Sequence, residues 1–354
     1  MPSFSRLRLR QLPNRSGGFT LLEVLITLAI LMIIFVTVLQ FMTTVDQAWK
    51  TAASDPYAEA QDAFETVAQN LASATLAPYE DYADRSGAFR VNSAFVPDHL
   101  ARRSDLDFVC GPAGNANGLL TATGRTTSGS GVFFLAPNGY TQTYAHTGLG
   151  HLINAMGYFV EFGDDGSSPG FILPQTHYWR WRLKQVRQPA ESLQVFAMTP
   201  PSAWTSPDWI QQLVPARANI PVLAENVVTL IVLPERAAND SGPALAPAFS
   251  YDSRDTTNRL TLHQLPPRLW LVLVAIDPTS AQRLATQNGS NPPQLLTVNF
   301  FQHGTQNDAV QQVTQLNADL ATLDGSLTAQ KIGHRIFQRE IQLPSSDWSN
   351  TPSP

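Results

Sequence analysis

Residues 19–41 read FTLLEVLITLAILMIIFVTVLQF, a run in which Glu23 is the one charged side chain. As a helix rising about 1.5 Å per residue, it spans roughly 35 Å, enough to cross a bilayer with some tilt. Arg6, Arg8, Arg10 and Arg15 precede it and no cation follows closely. Basic flanks stay in the cytoplasm, so the sequence predicts a single pass of the inner membrane, with a cytoplasmic N-terminus and an exported, periplasmic body. A secretory signal peptide has an apolar region of about 7–15 residues and a small-residue cleavage site. This run is longer, and Gln40, Phe41 and Met42 at its end do not suit such a site. A plain anchor gives no reason for Glu23, because a carboxylate at the centre of a membrane helix costs about 2.5–3.5 kcal/mol to insert. An acid in such a place is read first as functional.

The whole chain, 354 residues and 43% hydrophobic, is long enough for a sizeable core. Charged residues make up only 14%, well below the roughly 25% of an average soluble protein. Losing residues 1–18, with their four arginines and no acid, takes the formal charge from −5 to −9. A body that acidic is a poor general ligand for nucleic acid, and none is expected as a partner. Cys110, the single cysteine, has no internal disulfide partner.

Gly17-Gly18-Phe19-Thr20-Leu21-Leu22-Glu23-Val24 resembles the processing site of type IV prepilins and type II secretion pseudopilins. The resemblance implies cleavage by prepilin peptidase after Gly18, N-methylation of the new terminal Phe19, and an assembly role for Glu23. It also implies other pilin-like subunits as partners, within a pilus or pseudopilus. The physical logic agrees: cleavage makes an amine at Phe19, and Glu23 of a neighbouring subunit can pair with it. The body is similar to J-type minor pseudopilins in Asn226-Val227-Val228, Leu265-Pro266-Pro267 and the apolar stretch 269–276. With Tyr251-Asp252-Ser253-Arg254-Asp255, Ala275-Ile276-Asp277 and Ser280-Ala281-Gln282-Arg283-Leu284, it also resembles the C-protein group of the Verru_Chthon cassette. K-type minor pseudopilins usually lack the fifth-position Glu, so Glu23 speaks against that assignment.

The expected fold is α+β and pilin-like. A basic leader (1–18) precedes a transmembrane helix (19–41), and an amphipathic continuation (42–76) lies over an antiparallel sheet within a β-rich body (77–343). A flexible tail (344–354) follows. Tyr57, Ala60, Phe64, Val67, Leu71 and Ala74 form one apolar stripe. Ser54-Asp55-Pro56 reads as a cap with proline at the first helical position, and Pro78 as a stop. Strands are predicted over 105–110, 131–135, 156–162, 178–186, 192–198, 226–233, 268–276, 295–302 and 333–343. Two of these, 226–233 and 268–276, are apolar almost throughout and should be central, covered on both faces. Val310, Val313, Leu316, Leu320 and Leu323 mark an extra helix before the last strand.

Chemistry in the body is sparse. Seven histidines are scattered, and the nearest pair, His146 and His151, is separated by Thr147-Gly148-Leu149-Gly150. No metal site or cofactor is expected, and no nucleophile elbow or phosphate loop is present. Gly163-Asp164-Asp165-Gly166-Ser167 has the oxygen-rich composition of calcium loops without their spacing, so a plain hairpin turn is the simpler reading. Arg180, Arg182 and Lys184 alternate with Trp179, Trp181 and Leu183. The cations therefore share one strand face, either solvated or a docking strip for an acidic partner. The whole reads as an assembly subunit rather than an enzyme. The alternative is a periplasmic enzyme or binding protein that borrows a pilin-type anchor.

Overall fold

A computed structural model describes residues 21–52, 55–90, 95–114, 118–164, 179–196, 210, 213–214, 220–238, 240, 242–295, 300–301 and 308–351. The chain divides into two compact units, Met1–Asp55 and Pro56–Pro354. In the first, the apolar run forms helix α1 (Leu21–Ala52). In the second, two helices flank the sheet-forming sequence: α2 (Ala58–Ala72) and, near the C-terminus, α4 (Ala309–Ala329). A shorter helix, α3 (Pro278–Asn288), was not predicted.

Eleven strands arise among the described residues: β1 (Tyr79–Ala83), β2 (His99–Arg103), β3 (Phe108–Pro112), β4 (Thr127–Pro137), β5 (Ile153–Gly163), β6 (Arg180–Gln188), β7 (Val222–Glu225), β8 (Val227–Glu235), β9 (Tyr251–Asp252), β10 (Arg268–Ile276) and β11 (His334–Gln342). All pairings are antiparallel. They give a β1–β2 ribbon, a six-stranded sheet ordered β7-β6-β5-β4-β3-β9 and a three-stranded sheet ordered β11-β10-β8. Helices and antiparallel sheets together make an α+β architecture.

The predicted central strands divide in role. β10 lies between β11 and β8, as its continuous apolar sequence requires. β8 is an edge by hydrogen bonding, yet every one of its residues is buried. The six-stranded sheet covers it. At Gly129 of β4 (φ +67), a Cβ would collide with the Thr229 hydroxyl and the Leu230 carbonyl of β8. The register of β4 against β5 shifts between Ser128 and Val132 at this same point. A glycine-centred irregularity thus lets the two sheets touch backbone to backbone.

Helix α2 buries Ala60, Phe64, Val67 and Leu71 of the stripe read from the sequence, with Ala63 and Ala68 beside them. Phe64 packs on Phe337 of β11 with ring centroids 5.7 Å apart. Asn70 Nδ2 donates to the Tyr158 hydroxyl of β5 at 2.7 Å, where Gln185 Nε2 also donates, at 2.9 Å. The helix therefore touches both sheets. Its ends differ from expectation. The N-cap is Tyr57, without a side-chain cap, and its ring lies 4.7 Å beneath the Arg335 guanidinium. At the other end α2 stops at Ala72, short of residue 76, because Thr75 N donates to the Leu135 carbonyl at 2.9 Å and pulls the chain toward β4. Ala74 and Leu76 are buried from this extended segment instead.

Other expectations need correction. Residues 190–196 form two short 3-10 turns in place of a strand, held by Ser192 N donating to the Pro189 carbonyl and Gln194 N to Gln188 Oε1. Leu295, Phe300 and Phe301 are not in a strand, and 296–299 and 302 lie outside the described residues. Phe301 takes φ +58 and its N–H is held by Asp319 of α4. Helix α4 buries Leu316, Leu320, Leu323 and Leu327, while Val310 is 75% exposed. The tail is pinned rather than frayed through residue 350. Ser346 donates to the Leu265 carbonyl, Gln264 binds Ser349 twice, and Arg236 donates to Asn350 at 2.7 Å.

Candidate functional site

The residues singled out at the N-terminus fall partly within the described helix. Gly18 and Phe19 lie outside the described residues, whereas Glu23 stands in the first turn of α1, exposed. An acid there sits at the positive end of the helix dipole. Residues 21–42 have a mean hydropathy of 2.8, and by length and composition they form one helix able to cross a membrane. The threonine hydroxyls within it serve their own helix. Thr27 Oγ1 donates to the Glu23 and Val24 carbonyls at 3.0 and 2.9 Å, and Thr37 Oγ1 to Ile34 at 2.8 Å. A hydroxyl in lipid has no water to bond, so returning it to a carbonyl one turn back removes the penalty. Glu23 differs: an ionised carboxylate has no proton to donate, so a carbonyl of its own helix cannot serve it.

The three alternating cations of β6, Arg180, Arg182 and Lys184, are engaged within their own chain. Arg180 Nη1 lies 2.6 Å from Glu225 Oε2 of β7. Arg182 is 3% exposed, with Nε 3.5 Å from Glu225 Oε1 and Nη1 donating to the Gly163 and Asp164 carbonyls at 2.8 and 2.7 Å. Lys184 Nζ donates to the Ile220 carbonyl at 3.1 Å, and burial holds its pKa below the ordinary lysine value. Arg182 is buried and Arg180 and Lys184 are half-buried, because β7 pairs alongside β6 and brings Glu225 opposite Arg182. Glu225 was missed by the sequence reading. Its backbone N–H also donates to Glu59 of α2, whose pKa burial raises, so the one strand end ties β6 to the helix. Of the proposed calcium loop, Asp165–Ser167 lie outside the described residues, and the Gly163 and Asp164 carbonyls already face a guanidinium.

Among the described residues, no three His, Cys, Asp or Glu side chains gather as a metal set. His146 and His151 are exposed. Cys110 is fully buried, and burial pushes its thiol far above the ordinary range, the opposite of an activated nucleophile. Burial also displaces a carboxyl and an imidazole. Burial raises the Glu235 carboxyl to about 7, against Arg268 Nη2 at 3.2 Å, and lowers His263 to about 4, with Arg103 and Arg102 adding to the effect. Their neighbours are different, so they form no acid–base pair.

They do make a prediction. Glu235 binds its proton more tightly folded than unfolded, so its contribution to stability falls as pH rises from about 4.5 to 7. His263 binds its proton less tightly when folded, so its contribution falls as pH drops from about 6.5 to 4. Over the shared window the two slopes oppose. Glu235→Gln is expected to lose about 2–3 kcal/mol of stability between pH 6.5 and 4.5 relative to its parent. His263→Asn, which tolerates the φ of +54 at that position, should gain a similar amount. Unfolding midpoints at the two pH values measure this, and identical pH profiles for all three proteins would refute the assignment.

Residues 13–39 match a family model described as the prokaryotic N-terminal methylation motif. No curated protein and no solved structure matches the chain. The motif match, together with the apolar helix, supports a type IV pilin-like protein that is processed as a prepilin.

Proposed function

We propose that this chain is a minor pilin or pseudopilin, a structural subunit rather than an enzyme. Prepilin peptidase cuts after Gly18 and methylates Phe19, and α1 then holds the protein in the inner membrane with its body in the periplasm. Glu23 pairs with the Phe19 amine of a neighbouring pilin-like subunit, and the assembly enters or primes a filament of a type II secretion or type IV pilus-like machine. The observation that carries this reading is the coincidence of a methylation-motif match over residues 13–39 with a lone acid four residues after the proposed new terminus, in a helix of membrane length. Within that class, a place beside the J-type minor pseudopilins and the Verru_Chthon cassette C proteins rests on the body motifs around Asn226, Leu265 and Ser280.

Processing gives a direct test. Protein extracted from membranes of a host with prepilin peptidase should have the intact mass of a chain beginning at N-methyl-Phe19. A chain that still begins at Met1 in that host would sink the pilin reading.

A further inference from the structure

Strand β11 (His334–Gln342) ends the three-stranded sheet and pairs with β10 on one side only. At the two ends of that ladder, Leu343 N donates to the Pro267 carbonyl at 3.0 Å and Asp277 N to the Gly333 carbonyl at 2.8 Å. Antiparallel bonding alternates along a strand, so the odd-numbered residues of β11 bond to β10. The N–H and C=O of His334, Ile336, Gln338, Glu340 and Gln342 therefore point to the outer edge, and none has a backbone partner among the described residues. Arg335, Gln338, Arg339 and Gln342 are exposed, so this edge is open. Proteins usually blunt such an edge with proline, a bulge, shortness or an outward lysine. β11 has nine residues, an unbroken register and no Pro, Gly or Lys. Its charges are engaged inside the chain instead. Arg339 is bidentate to Glu65 of α2 at 2.6 and 2.7 Å, Glu340 accepts from Arg268 at 3.0 Å, and His334 Nε2 lies 2.8 Å from Asp324.

We propose that β11 pairs antiparallel with β11 of a second copy of this chain, about a two-fold axis at Gln338, joining two three-stranded sheets into one. Only residues with free backbone groups can bond across this edge, so even-numbered positions must face even-numbered ones. Full nine-residue overlap meets that condition and forms about ten backbone hydrogen bonds. A slip of one residue sets the free groups of one edge against the occupied groups of the other. The full-overlap register also opposes no like charges. Ile336 faces Glu340 of the second copy, Phe337 faces Arg339, Arg335 faces Ile341 and His334 faces Gln342. The two Arg339 side chains meet only diagonally, each with its own Glu65. Length, hydrogen-bond parity and charge thus agree on one occupant, a second copy. The pairing uses neither Glu23 nor α1, so its failure would leave the assembly reading standing.

The test uses the full chain in detergent, diluted from about 100 μM, where an association with a micromolar Kd is nearly complete. Light scattering corrected for bound detergent should give twice the protomer mass at the top of the series. Ile336→Glu sets carboxylates against Glu340 twice across the axis and should raise the Kd about tenfold, whereas Ile336→Lys pairs with Glu340 and should not. The two substitutions disturb the half-buried Ile336 alike, and neither touches α1. Disulfides read the register, with Cys110 buried and silent. Gln338→Cys meets its own copy at about 5.5 Å between Cα atoms, within disulfide reach, and should crosslink on mild oxidation. Gln342→Cys, also exposed, stands roughly 27 Å from its copy and should not. A parent that is monomeric throughout the series would overturn the proposal. So would equal crosslinking of the two cysteine variants, or equal Kd values for Ile336→Glu and Ile336→Lys. If the Ile336 variants do not fold, the cysteine pair decides alone.

Discussion

Glu23→Leu should accumulate in the membrane at least as well as the parent and be cleaved normally, yet fail to capture its pilin-like partners. A carboxylate costs about 2.5–3.5 kcal/mol to insert at a helix centre and less in the first turn, where Glu23 stands, so removing it gives the lone subunit no reason to enter lipid less well. Apart from Gln40 near its end, residues 21–42 are otherwise apolar or carry hydroxyls bonded to their own helix. Lost capture with accumulation and processing unchanged would place the effect between subunits. Truncating one partner of a buried charge pair costs about 2–5 kcal/mol of association, roughly a 30- to 4,000-fold loss in affinity. Crosslinking or co-purification with co-expressed pilin-like proteins reads this out, with intact mass confirming processing in the same sample. Wild-type capture by the variant would remove the reason for reading Glu23 as an assembly residue.

Gly129→Ala is expected to destabilise the body by about 3–5 kcal/mol. Part of that is conformational, since a non-glycine residue at φ +67 costs about 1–2 kcal/mol. The larger part is overpacking, because the new methyl meets the Thr229 hydroxyl and the Leu230 backbone of β8, neither of which can move without shifting the sheet. Gly124→Ala is the internal control. Gly124 has the same φ of +67 and nothing within 4 Å of an added Cβ, so it should lose only the conformational part. Thermal or denaturant unfolding of the two variants separates the terms. If both lose the same amount, the two sheets are not in the close contact described.

The pattern of legibility follows the range of the forces involved. The anchor was readable because membrane crossing depends on length, hydropathy and flanking charge, all local in sequence. The α2 stripe was readable for the same kind of reason: Phe64, Val67 and Leu71 recur with the helical period and are the residues buried. β10 was predicted to the residue. Helix α3 was legible and overlooked. Asp277 followed by Pro278 is a cap and first-turn proline, and the Asp277 side chain does accept from Ser280 N at 2.9 Å. Helix α4 carries the aspartate cap without the proline, with Asp308 accepting from Val310 N.

What the sequence alone determined about this protein is its N-terminal character: a basic leader, a prepilin-like junction at Gly18 and Phe19, and a membrane-length helix with one acid at Glu23. Only the tertiary structure decided what the body does with its charges and edges. Arg180, Arg182 and Lys184 alternate as an exposed strand face would, yet Glu225, more than forty residues away in sequence, arrives through β7 and occupies the two arginines. β8 has the composition of a central strand but is an edge, covered because Gly129 lets β4 approach it. The tail has the composition of a frayed end, but Gln264 and Arg236 hold it. In each case, periodicity and composition report which side chains avoid water. Which distant segment excludes that water, or supplies the opposite charge, depends on pairings that no local pattern encodes.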